Sequence, residues 1–288
     1  MSEKLFKRLF LIVQIATVAV FWGRAWQHLY WDAPYRTLLW DENWLRWLVE
    51  NVFQTSWDAY VSTSDGAIRM LVRGTGWFYV LCGIGAIFIQ KIPRLLVPLL
   101  YAGSVGLILL AALYCKEKFF HLGQFLEYTL QWASPLFLIV LWQKKDFTKK
   151  LAWWMKLAIA FTFICHGLYA IGYYPRPAGF LEMTMNILHL QYQQAITFLQ
   201  IAGVLDFIAA VFLFLPGSVG IAGLAYCVVW GFFTTVARIW AHFHLEFFPN
   251  VLLQWLHESI LRFPHFLIPL AVLLWQWASN RQNFRKLE

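Results

Sequence analysis

A chain of 288 residues that is 60% hydrophobic and only 13% charged carries more apolar surface than one water-soluble core can bury, which excludes an ordinary soluble domain. Its net charge of +8 falls where membrane topology distributes basic residues, so the charge calls for no nucleic-acid partner. The expected class is an all-α integral membrane protein with membrane lipid as its first partner.

Apolar runs suited to a hydrocarbon slab about 30 Å thick, crossed at about 1.5 Å per residue, recur along the chain and predict about eight transmembrane helices. The first covers 6–29 after Lys4, Lys7 and Arg8. Phe21, Trp22 and Arg24 stand where a signal peptide would carry its small-x-small cleavage site, so this helix reads as retained. A tryptophan-rich outer segment, 31–72, follows. In it Trp40, Trp44, Trp47 and Leu48 share one side of a helix and Glu42, Arg46 and Glu50 the other, the pattern of an interfacial amphipathic helix capped by Asp41. Spans two and three, 74–90 and 95–115, are separated by Lys91, Pro93 and Arg94, and span four, 122–142, ends in the basic loop 143–150. The second half repeats the plan: span five at 151–174, an interfacial segment at 180–193, span six at 194–215, a turn at 216–219, and span seven at 220–242. Pro249 precedes a third amphipathic piece, 251–261, and span eight takes 263–279.

Lys4, Lys7, Arg8, Lys91, Arg94, Lys144, Lys145, Lys149, Lys150, Arg281, Arg285 and Lys286 fall on one face, against only Glu3, Asp146 and Glu288. That asymmetry makes the face cytoplasmic and puts both termini on it, in a cytoplasmic (inner) membrane. Slid along itself by half its length, the chain lays Gly23 on Gly167 and Tyr30 on Tyr174. Two parallel four-helix repeats, 1–150 and 151–288, are expected, since an even number of spans leaves both pointing the same way. Cys82, Cys115, Cys165 and Cys227 lie in apolar runs without a C-x-x-C and read as inert core residues.

Ionisable groups at membrane depth are expensive and are candidate functional residues. All eight histidines map to the outer half or outer loops. Depth counted along the helices puts Asp206 about 18 Å and His166 about 12 Å below the outer ends of their spans. Thr234, Arg238 and His242 form one i, i+4, i+8 stripe on span seven, so a cavity lined by His166, Asp206 and this stripe is geometrically allowed. In the first half Arg24 and Glu127 each sit about 8 Å below the outer surface and are expected to form a structural ion pair. A bis-histidine haem is disfavoured because His166 and His242 differ by about 10 Å in depth. No metal site is expected, since His242 and His244 are i, i+2 and no H-E-x-x-H occurs. No nucleophile, P-loop or dinucleotide motif is present.

The second half, 151–279, carries Cys165-His166-Gly167 late in its first helix and Gly203 three residues before Asp206 in its second. In this it resembles the DoxX-like family of membrane proteins, distantly like the membrane part of vitamin K-dependent carboxylases. The first half reads as a diverged copy, with Trp22 in the place of His166 and Gly83 in the place of Asp206. The resemblance implies a four-helix membrane module, tied in some members to quinone-linked or thiol-linked redox work at the outer face.

Three functional readings follow. The first is an outward-opening pocket for a quinone-like or lipidic ligand, with His166 and Asp206 as catalytic, proton-handling groups and Arg238, His242 and Thr234 as ligand contacts. The second is a non-enzymatic accessory subunit of a larger membrane complex, its outer tryptophans meeting a partner. The third is a transporter.

Overall fold

The computed structural model describes residues 1–284, with side chains to Asn280; Arg281, Arg285, Lys286 and Glu288, counted above in the charge asymmetry, lie outside the described side chains. Among the described residues every regular element is helical. Seven helices among the described residues are long and apolar enough to cross a membrane, or eight if the bent pair near the C-terminus is one span, which fits a multi-pass membrane protein.

Helix α1 (Glu3–Tyr30) starts at Ser2, whose hydroxyl accepts from the Leu5 N–H, as an N-cap should. Two short helices follow, α2 (Arg36–Leu39) and α3 (Glu42–Asn51); Asp41 caps α3, accepting from the Trp44 N–H at 3.1 Å. The Lys116 ammonium beside Asp41 holds its carboxyl below the usual range. Helix α4 (Trp57–Phe88) begins far earlier than the span expected from 74, capped by Ser56. Hydropathy alone stops at Arg69 and Arg73, but Ile68 and Val72 are buried in a small separate core with Ala33 and Leu110. Asp65 also takes Arg36, so the polar turns stay helical by packing on the segment that carries α2. At about 1.5 Å per residue α4 outruns the hydrocarbon and projects beyond it.

Helix α5 (Pro93–Glu117) leads to a span that breaks: α6 (Leu122–Glu127) and α7 (Thr129–Lys144) meet at Tyr128, where one continuous helix was expected. Helix α8 (Lys149–Ile171) ends at Gly172, whose φ of +88° only glycine adopts cheaply; the Tyr173 N–H then returns to the Leu168 carbonyl at 3.0 Å. Next come α9 (Ala178–Leu188), α10 (Tyr192–Phe212) and α11 (Gly217–Ala241). A single 3₁₀ turn, Leu245–Phe247, precedes α12 (Phe248–Ile260), which meets α13 (Pro264–Phe284) at a bend of 43°.

Helices α1 and α8 are the central pair. Helix α1 packs on α4, α7, α12 and α13; α8 packs on α10, α13, α6 and α7. One core runs through the molecule, with Val13, Val20 and Phe21 of α1, Ile139 of α7, Met155 and Ile159 of α8, and Ile268 of α13 buried together. Away from it Leu109, Ile201, Val211 and Val229 are exposed on span surfaces, as lipid-facing residues should be.

Candidate functional site

Two glycines set the geometry. A methyl group built on Gly203 would lie 2.8 Å from the Gly167 carbonyl oxygen, and one built on Gly167 would lie 2.9 Å from that of Gly203, so α8 and α10 touch backbone to backbone. Because the two helices run in opposite directions from this contact, His166 and Asp206 come within about 3 Å of one another in depth. Both line a single cavity of about 330 Å³ among α8, α9, α10 and α11. The volume is at the lower end of the roughly 300–1,000 Å³ of small-molecule sites.

The walls are mostly apolar, including Phe180 and Met183 of α9, Phe198 and Ala202 of α10, and Trp230 and Phe233 of α11. Polar groups interrupt them in two places. Asp206, 2% exposed, accepts from the Tyr226 hydroxyl at 2.9 Å, and its other polar neighbour is Trp230. His166 instead faces the first half: its Nε2 lies 3.4 Å from Glu127 Oε1, and its ring stacks on Phe180 and meets the edge of His265. Thus the imidazole and the carboxyl share the cavity while each is held by a different partner.

Arg238 and Arg262 form the cationic wall, and Glu258 sits between them. Arg238 Nε is 3.3 Å from Glu258 Oε2, and Arg262 Nη1 donates to both Glu258 Oε2 and the Glu258 carbonyl. Arg238 also donates to the Thr234 carbonyl at 3.1 Å, and Thr234 lines the cavity beside it. Such convergence of charge in the membrane part of a bundle is costly and marks a working site more often than a structural one.

Two expected placements are corrected. Arg24 and Glu127 do not pair: Arg24 donates to Gln27 and Gln131 at 2.7 and 2.6 Å and lies over the rings of Tyr114 and Tyr128, while Glu127 takes Gln124 and His166. The amide oxygens reach the guanidinium first because Gln27 is one turn along the same helix and Gln131 projects from α7. His242 is not in the cavity lining; it stacks on Trp255 of α12 with ring centroids 4.2 Å apart, because α11 has ended at Ala241 and broken the stripe.

Glu258 and Arg262 were not singled out from the sequence. Their i, i+4 spacing and the following Phe263-Pro264 break are the available signal, but the piece 251–261 reads as interfacial from its pattern, and the bend before α13 turns both residues inward. Among the described residues no group of three or more His, Cys, Asp or Glu side chains converges as a metal site would. Compared with protein-family models, with curated proteins and with solved structures, the chain matches none.

Proposed function

We propose that this chain is a cytoplasmic (inner) membrane protein with both termini cytoplasmic, whose second half binds a quinone-like or lipidic ligand in the cavity among α8, α9, α10 and α11. The observation that carries the reading is one mostly apolar cavity whose lining includes His166, Asp206, Arg238 and Arg262. Apolar walls hold a hydrocarbon or ring system, and the few polar groups orient its head. For a quinone-like ligand, His166 and Asp206 are the groups placed to exchange protons with its carbonyl oxygens, and Arg238 and Thr234 contact it. The stretches behind the DoxX-like resemblance, Cys165 to Gly167 and Gly203 to Asp206, are the same two that meet at the glycine contact.

The two-repeat arrangement belongs to this reading. Helices α4, α7, α12 and α13 contact α1, their counterparts α10, α13, α6 and α7 contact α8, and α5 and α11 likewise touch equivalent neighbours. A diverged duplication accounts for the difference between the units at this position: Trp22 packs against Gly83, whereas Asp206, in the corresponding place, lines the cavity.

His166→Ala and Asp206→Asn are each expected to weaken ligand retention at least about tenfold, read by mass spectrometry, with a folded, monodisperse protein retained. Full retention in both variants would remove the pocket. A second reading, an accessory subunit, is favoured by Trp47, Phe119 and Phe120, all strongly exposed on the outer segments. A stoichiometric partner recovered after mild solubilisation would support it, and a lone monomer would count against it.

A further inference from the structure

The cationic part of the cavity wall sets two guanidinium groups against one directly paired carboxylate. Arg238 and Arg262 are each at least nine-tenths buried, both line the cavity, and they share a single carboxylate, Glu258. Glu127 acts on Arg238 only through space, its direct contacts being Gln124 and His166. Asp206 pairs with neither guanidinium, since its polar neighbours are Tyr226 and Trp230. The third buried guanidinium, Arg24, is held by two amide oxygens and two tyrosine rings, brings no directly paired carboxylate, and draws through space on the same Glu258.

The donors that remain point to where a counter-charge would sit. A guanidinium has five N–H groups. Arg238 sets Nε 3.3 Å from Glu258 as an ion pair and donates through Nη1 to the Thr234 carbonyl, and Arg262 donates through Nη1 to Glu258. Among the described residues Nη2 of Arg238 and both Nε and Nη2 of Arg262 have no hydrogen-bond acceptor. None of these is among the fully enclosed polar atoms left without a partner, so each keeps some accessible surface, and both residues line the cavity. Two forked cations with free donors, side by side over one carboxylate, match the geometry of an oxyanion, which accepts two N–H groups at once. A buried charge without a partner is expensive, and a ligand bringing one negative charge supplies it.

The geometry points to an amphiphile with one oxyanion head, a carboxylate or phosphate, seated between Arg238 and Arg262, its single hydrocarbon chain lying along the apolar walls of α9 and α10. This rests on the pocket reading above and narrows it from quinone-like or lipidic to anionic lipidic. The modest cavity volume takes one chain rather than two.

The test uses the full chain in zwitterionic phosphatidylcholine nanodiscs above pH 8, with oleate, oleyl alcohol and inorganic phosphate as probes and bound mass read by native mass spectrometry. Oleate is expected to bind at least about tenfold more tightly than oleyl alcohol. Arg262→Gln, which leaves Glu258 paired with Arg238, is expected to bring oleate down to the level of the alcohol without changing the alcohol. Inorganic phosphate alone is expected to bind far more weakly than oleate, because it gains nothing from the apolar walls. Equal binding of oleate and oleyl alcohol to the unmodified chain would overturn the anionic head while leaving the pocket standing. Phosphate binding as well as oleate would also overturn it, making the site one for a free anion. Binding of neither amphiphile would instead bring down the pocket reading itself.

Discussion

Glu258→Gln is expected to be the most destabilising single change in the charged network, because it strands two buried guanidinium groups at once. Glu258 is the only carboxylate within ion-pair distance of either Arg238 or Arg262 among the described residues. Removing one partner of a buried pair typically costs about 3–5 kcal/mol, since the charge left behind keeps its desolvation penalty and loses its compensation. Keeping the pair contributes little net stability, so the double variant Glu258→Gln/Arg262→Gln should recover part of the loss by leaving one cation stranded instead of two. The measurement is the apparent thermal unfolding midpoint in detergent, followed by tryptophan fluorescence. A Glu258→Gln protein as stable as the unmodified one would mean that the arginines are solvated, and the description of the cationic wall would be wrong.

The second large effect is expected at the α8–α10 contact. Gly203→Ala places a methyl group 2.8 Å from a main-chain oxygen of Gly167, with Ile171 and Ala170 closing the other sides. Backbone cannot swing aside as the end of a long side chain can, so the helices must separate, at a cost of about 1–3 kcal/mol or more. Gly203→Leu is expected to abolish folded protein. Separation would also pull His166 and Asp206 apart, so Gly203→Ala should lose ligand retention out of proportion to its loss of stability. Gly66→Ala is the control: it lies in α4 with nothing within 4 Å of the added carbon, and is expected to be neutral or stabilising by up to about 1 kcal/mol through helix propensity. If Gly203→Ala matched Gly66→Ala in stability, the close approach of α8 and α10 would be refuted.

Much of this arrangement is legible in the residues before any coordinates. Apolar run length places the spans and Asp41 announces the start of α3, while the span expected to run to 174 stops at Ile171 before the Gly172 cap. Four pocket residues, His166, Asp206, Thr234 and Arg238, are recognisable because polar side chains in an apolar helix are few and helical spacing aligns them. What is not legible depends on contacts distant in sequence. Arg24 reaches Gln131 of α7 rather than Glu127, a choice between two groups only a few residues apart that no local pattern decides. Glu258 and Arg262 look like the polar side of a surface helix until the bend before α13 folds them in. The early start of α4 hides in the same way, since Ile68 and Val72 are buried by Ala33 and Leu110, not by lipid.

The central claim is that the space among α8, α9, α10 and α11 holds a ligand. It is tested most directly by native mass spectrometry of protein taken straight from its membrane, comparing Ala202→Trp, which fills the cavity, with Ile201→Trp on the lipid-facing side of the same helix. The account predicts a bound small molecule in the unmodified chain and in Ile201→Trp, and its loss in Ala202→Trp. The same adduct at the same occupancy in both variants would contradict it.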